Sequence, residues 1–250
     1  MRVTVCELPN ERGAFSASWE RLARHVVEQK SDLVLLPELP FSVWFCTNSQ
    51  FESHIWQDAC DEHEAMMKRL PELAPALVLG THPLMKNGLR LNRGFCWAES
   101  EGYRGVHDKH YLPNEEGFYE RAWFDRNQQD FSPVGVGNLA LGFLICTEVM
   151  FNEWARFYGR QGANLIAVPR ASTPHERWVV APRMAAIASG AFVISSNRVD
   201  DKLFGGRGLI INPEGEVLAE TSRHMPFVTV DIDLAESAQA KSTYPRDVPE

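Results

Sequence analysis

An α/β fold is predicted for this 250-residue chain by three observations: short apolar runs with strand character, amphipathic stretches at helical spacing between them, and no linker dividing the two. The first run, Val3 to Leu8, alternates like a strand. Ser16 to Gln29 then places Trp19, Leu22, Ala23, Val26 and Val27 on one helical face. Leu33 to Leu36 is a second strand, Asp58 to Leu73 a more charged helix closed by prolines, and Leu77 to Thr81, Gly94 to Glu99 and Tyr103 to Asp108 three further strands. The second half repeats the alternation. Strands at Leu139 to Ile145, Asn164 to Val168 and Ala191 to Ser196 are separated by helices at about Phe151 to Gln161 and at Arg177 to Ser189. Gly208 to Asn212 and Glu216 to Ala219 flank Asn212-Pro213-Glu214-Gly215, whose proline and glycine suit a hairpin, and Phe227 to Ile232 is the last strand. Residues 1–234 therefore read as one domain. Residues 235–250 form a polar tail ending near two prolines, either loose or docked on a partner subunit.

Charge and composition narrow the function classes. A net charge of -8, with no Lys/Arg cluster, argues against a nucleic-acid partner. No apolar run approaches the ~20 residues of a membrane span and the N-terminus has no signal-peptide core, so no membrane partner and a cytoplasmic location are expected. The five cysteines, Cys6, Cys46, Cys60, Cys96 and Cys146, are scattered and never spaced as CxxC, which suits a reducing compartment. Cys60 with His63, and His107 with His110, have helical or near-helical spacing, but neither pair has the third and fourth ligands of a zinc site, so no metal and no cofactor are expected.

Three residues stand just past strand ends, where a parallel sheet presents working side chains. Cys146 follows Leu139 to Ile145 at a strand-to-helix turn, where a helix N-terminus favours the nucleophilic thiolate; the alternative is a small buried filler. Glu38 follows the run LVLLP in apolar company that raises a carboxyl pKa toward the range of a general base, or else lies in an exposed loop. Lys109, within HDKH, is either a surface charge or a group that favours a thiolate and stabilises an oxyanion.

Together, Glu38, Lys109 and Cys146 resemble the Glu-Lys-Cys triad of the nitrilase (carbon-nitrogen hydrolase) superfamily. The resemblance covers nearly the whole chain: PELPF, DKHYLPNEEGFYERAWF, LICTEVMFNEWARFYGRQGANLIAVP and SSNRV at Ser195 to Val199 are its segments. It implies a four-layered αββα sandwich that forms a homodimer or a larger even homo-oligomer. It also implies that Glu38 takes the thiol proton as Cys146 attacks an amide or nitrile carbon, while Lys109 and the backbone amide of Thr147 hold the oxyanion. Amidase-type members carry a second glutamate after the lysine. Of Glu115, Glu116 and Glu120, Glu120 is preferred because it precedes Arg121-Ala122-Trp123-Phe124.

Nitrile-hydrolysing members typically carry Cys-Trp-Glu, whereas this chain has Cys146-Thr147-Glu148. The expectation is hydrolysis of a small amide, ω-amide or N-carbamoyl compound, with a small nitrile, or binding without chemistry, as the alternatives. Arg170, after Pro169 at a strand end, is either a clamp for a substrate carboxylate or one half of a structural ion pair. Phe41, Trp44, Phe45 and Trp123 are candidates to line the pocket or to form core.

Overall fold

A computed structural model describes residues 1–248, and the last two residues of the tail lie outside the described ones. Strand β1 (Arg2–Pro9) lies at the middle of the molecule because it pairs with two sheets. It runs parallel to β2 (Leu33–Leu35) and antiparallel to β12 (Phe227–Asp231), while its last residues, Glu7 to Pro9, pair with Asn197 to Val199 of β9 (Phe192–Val199). The first sheet continues from β2 through β3 (Leu77–Lys86) and β4 (Leu89–Ala98) to β5 (Gly102–Asp108). The second runs in the order β6 (Val134–Val136), β7 (Leu139–Phe143), β8 (Leu165–Arg170), β9, β10 (Leu209–Ile211) and β11 (Val217–Glu220).

Alternation along each strand makes the layers. Val3, Val5, Leu33, Leu35 and Leu79 point inward to meet Leu141, Phe143, Leu165, Ala167, Phe192 and Ile194 of the opposing sheet. The intervening residues Val34, Leu36 and Val78 point outward against Trp19, Leu22 and Val26 of helix α1 (Arg12–Gln29). On the far side, Ile166, Val168 and Val193 pack on Ala155 and Tyr158 of α4 (Asn152–Arg160) and on Ala185 and Ala186 of α5 (Arg177–Ser189). The result is the four-layered αββα sandwich. The two outer helices approach closely because position 159 has no side chain: a Cβ on Gly159 would lie 2.2 Å from the Ser189 carbonyl oxygen.

Several expectations shift. Val27 is turned to solvent, so the buried face of α1 is narrower than its apolar face. The charged helix is two elements, α2 (Ser53–Met67) and a 3-10 turn at Leu70–Leu73, since Pro71 lacks the N–H that would continue the ladder. Strand β6 and the four-residue helix α3 (Glu120–Trp123) carry too little periodicity to be read from sequence. Of the two alternatives for the tail, a loose segment does not describe the fold. The tail forms α6 (Ala235–Lys241) and docks on its own chain: the Ser237 hydroxyl and Lys241 ammonium donate to the Gly190 carbonyl, and Arg246 donates to the Ile187 carbonyl. Among the described residues, no helix is long and apolar enough to cross a membrane.

Strands β1, β2 and β3 run parallel, and β5, two antiparallel steps beyond β3, points the same way. Strands β7, β8 and β9 are likewise parallel to one another. The chain leaves β2 toward Glu38, β5 toward Lys109 and β7 toward Cys146, so the side chains singled out from sequence all follow strand carboxyl ends.

Candidate active site

Lys109 is the hub. Its ammonium is wholly buried and donates to Glu38 Oε1 at 2.7 Å and to Glu120 Oε1 and Oε2 at 2.7 and 2.6 Å. Burial alone would strip the proton from the lysine, but the carboxylates of Glu120 and then Glu38 outweigh it and its pKa is raised. Burial raises the Glu120 carboxyl above its ordinary range; Lys109 pulls it down and Glu38 adds to the rise. Two carboxyls therefore share one ammonium in a low-dielectric site. Glu115 and Glu116, the other glutamates of that segment, are exposed.

Glu38 also accepts a hydrogen bond from Asn92 Nδ2 at 2.7 Å, on the same oxygen that Lys109 uses. Its other oxygen, Oε2, is buried and has no hydrogen-bond partner among the described residues. A buried acceptor left open is costly in a folded core, and here it belongs to the residue expected to receive a proton.

Cys146 opens a 3-10 turn, Cys146–Met150, with φ of 51°, a left-handed conformation that a cysteine rarely adopts. The turn pushes the thiol out of the β7 line; Sγ lies 3.6 Å from the Ala171 carbonyl oxygen and the residue is 4% exposed. The helix-terminus argument for a resting thiolate fails. Burial first, then the negative charge of Glu38, raises the thiol pKa well above its ordinary value, and the opposing pull of Lys109 does not compensate. The short 3-10 turn offers too little aligned dipole to reverse this. Cys146 rests as a thiol. Thr147, partly buried, is second in the turn, where a backbone N–H has no partner within the turn.

The loops carrying these groups are held by the SSNRV segment. Arg198, buried at the end of β9, donates to the carbonyls of Glu38, Leu39 and Ser42 and to Asn10 Oδ1. Asn197 holds the loop beyond β8 through its Nδ2 bond to the Ser172 carbonyl at 3.1 Å and its Oδ1 bond from the Ser172 N–H at 3.0 Å. Leu39, itself at φ of 45°, is fixed by its N–H bond to Thr81 Oγ1 at 2.7 Å. Arg198, Asn197 and Asn92 are among the residues that sequence reasoning missed. The first two lay inside a noted segment without roles, and Asn92 lay before the strand start expected at Gly94, whereas β4 begins at Leu89.

Arg170 requires a correction. Its guanidinium is buried and donates to Ser195 Oγ at 2.6 Å, to Ser172 Oγ, and to the carbonyls of Trp178 and Arg207. Its guanidinium is already occupied, and no carboxylate among the described residues pairs with it. The Trp178 carbonyl is available because Pro182, four residues on in α5, has no N–H to donate. Arg170 also supports the site through its backbone, whose carbonyl accepts the Glu38 N–H at 3.1 Å. Phe41 is likewise part of the helix-side core, edge-on to Phe15 and Trp19, because its ring fills the space beside α1. Trp44, Phe45 and Trp123 join Leu39, Cys46, Phe118 and Ala171 in a buried cluster of their own. Trp44 Nε1 donates to the Gly117 carbonyl and Trp123 Nε1 to the Asn48 carbonyl, which fixes the orientation of both rings.

Among the described residues, no group of three or more His, Cys, Asp or Glu side chains could hold a metal ion. His63 is spent on the Ala59 carbonyl and the Phe41 N–H, and His107 on Glu148 and the Asp130 carbonyl.

The four-layered sandwich is the fold of nitrilase-superfamily structures. The chain belongs to the carbon-nitrogen hydrolase family, whose model matches residues 2–242. It is 28% identical over 246 residues to 2-oxoglutaramate amidase of Bacillus subtilis (strain 168), covering 89% of this chain and 87% of that protein. Its fold is similar to that of a carbon-nitrogen hydrolase from Helicobacter pylori G27, with a TM-score of 0.86 at 22% identity over 98% of this chain and 94% of that one. It is also similar to an amidase from Nesterenkonia sp. AN1, solved with acrylamide added to its active-site cysteine, with a TM-score of 0.77 at 21% identity over 96% and 95% of the two chains.

Proposed function

We propose that this protein is a cofactor-independent thiol hydrolase of small amides, with Cys146 as nucleophile, Glu38 as general base, Lys109 as oxyanion support and Glu120 as the group that holds Lys109. The observation that carries this reading is the open Oε2 of Glu38 beside a lysine shared with Glu120. Because the thiol rests protonated, its proton passes to Glu38 as sulfur attacks the amide carbon. The carbonyl oxygen gains negative charge, which the Lys109 ammonium and the Thr147 N–H stabilise. Glu38 then returns the proton to the departing nitrogen, leaving a thioester on Cys146 and free ammonia or amine. Water, activated by Glu38, hydrolyses the thioester and restores the thiol.

The charge balance selects a neutral reacting group. Two carboxyls around one lysine disfavour a substrate carboxylate next to the sulfur, and the Arg170 guanidinium is occupied. An uncharged head is favoured, which primary aliphatic amides, ω-amides and N-carbamoyl compounds all present, so the charge balance sets the reacting group and does not rank these three classes. The resemblance to 2-oxoglutaramate amidase supports the ω-amide class. Ammonia release from a panel of aliphatic amides, ω-amides, N-carbamoyl compounds and nitriles is the test. Release from amides that disappears in Cys146→Ala, with folding retained, is expected; equal release by Cys146→Ala overturns the reading.

A further inference from the structure

A second buried ionic cluster lies against the first, and the catalytic assignment does not use it. Glu148, two residues after Cys146, is wholly buried and accepts three hydrogen bonds: from His107 Nε2 at 2.8 Å, the Ile145 N–H at 2.8 Å and the His110 N–H at 2.7 Å. Ile145 immediately precedes Cys146, and His110 immediately follows Lys109. One carboxylate thus spans the backbones that carry the nucleophile and the lysine. These come from β7 and β5, which belong to different sheets.

His107 completes the arrangement. Its Nδ1 faces the Asp130 carbonyl at 3.0 Å, an atom that can only accept, so Nδ1 carries a proton. Its Nε2 faces the Glu148 carboxylate, which already accepts two backbone N–H bonds and is best satisfied as an anion. Both ring nitrogens therefore donate, and the pair is imidazolium and carboxylate. The other groups facing His107 are Asp108 next in sequence, the His110 ring, whose pKa the charge of His107 lowers, the Phe131 ring at 5.0 Å, and Lys86, Arg93 and Asp130 along the polar surface cavity that His107 also lines. Arg93 is bound by Asp108 at 2.6 and 2.7 Å.

We propose that the His107–Glu148 ion pair is a positioning brace that sets the distance between Lys109 and Cys146, and that loss of the His107 proton releases it. The proposal rests on the catalytic reading above. With His107 neutral, only one ring nitrogen can donate: either the Nε2 lone pair faces the Glu148 carboxylate or the Nδ1 lone pair faces the Asp130 carbonyl, so one end of the brace meets an acceptor it repels and Glu148 loses its counter-charge. The direction of titration agrees. Burial lowers the His107 pKa but Glu148 outweighs it, so the pKa is raised overall, while Glu148 is held below its ordinary range by His107 and the two backbone bonds despite its burial. A raised histidine pKa means that the brace is intact at and below neutral pH and lost as pH rises through the folded-state value.

The test is His107→Gln, which keeps one donor for Glu148 and removes the charge. Steady-state turnover of a primary amide is measured from neutral to alkaline pH, beside the rate of Cys146 alkylation by iodoacetamide and with Cys146→Ala as control. The expectation is a kcat lower by about tenfold at neutral pH with KM little changed, since a small displacement of reacting groups is felt mainly in turnover. The parent's alkaline decline in kcat should also vanish in the variant. If His107→Gln does not fold, His107→Gln/Glu148→Gln, which leaves no unpaired buried charge, supplies the same readings. A variant with the parent's kcat and alkaline limb overturns the brace and leaves the catalytic reading standing; a Cys146→Ala control as active as the parent overturns the catalytic reading itself.

Discussion

The two buried ionic clusters differ in their arithmetic. Glu38, Lys109 and Glu120 set two carboxyls against one ammonium, and Glu38 Oε2 is left without a partner among the described residues. His107 and Glu148 set one cation against one anion, and every polar atom of both side chains is hydrogen-bonded. The first pattern is expensive to fold and useful for moving protons; the second is satisfied and useful for holding still. On the proposed reading, reactivity and rigidity fall to adjacent clusters made of the same kinds of groups.

Removing the lysine should break this contrast most severely. Lys109→Ala leaves Glu38 and Glu120 buried together without a counter-charge, so turnover should fall by about 10²- to 10³-fold through loss of oxyanion support. Stability should fall as well, by about 3–5 kcal/mol, read in urea unfolding. Glu120→Gln should be milder. Lys109 keeps Glu38 as its charged partner, so the protein should remain folded and the loss should appear in kcat, checked by the same amide assay. The smallest functional effect is expected at Arg170→Lys. The guanidinium bonds to Ser172, Ser195 and two carbonyls cannot all be remade by an ammonium, so stability should drop by about 1–3 kcal/mol while KM for a carboxylate-bearing ω-amide stays put. A raised KM there without loss of stability would restore the clamp.

What could be read from the chain follows the range of the forces involved. Strand alternation and helical spacing are local, so the order of elements and the placement of Glu38, Lys109 and Cys146 after strands were visible in residues a few positions apart. The roles of Arg198, Asn197, Asn92 and His107 were not, because each acts on a partner far away in sequence: Arg198 on Leu39, Asn92 on Glu38, His107 on Glu148. Arg170 misled for the same reason. A guanidinium at a strand end looks available until Pro182, on a later helix, frees a carbonyl for it. The protonation of Cys146 is also a property of the assembled site, since neither the depth of burial nor the nearness of Glu38 is written beside the cysteine.

The central claim is that Cys146 becomes acylated during turnover. Acid-quenching the protein during hydrolysis of a primary amide and mapping the adduct by mass spectrometry tests this directly. The account predicts an acyl group on Cys146, absent from the other four cysteines and enriched in variants that slow deacylation. Full turnover with no adduct on Cys146, matched by equal turnover in Cys146→Ala, would contradict it.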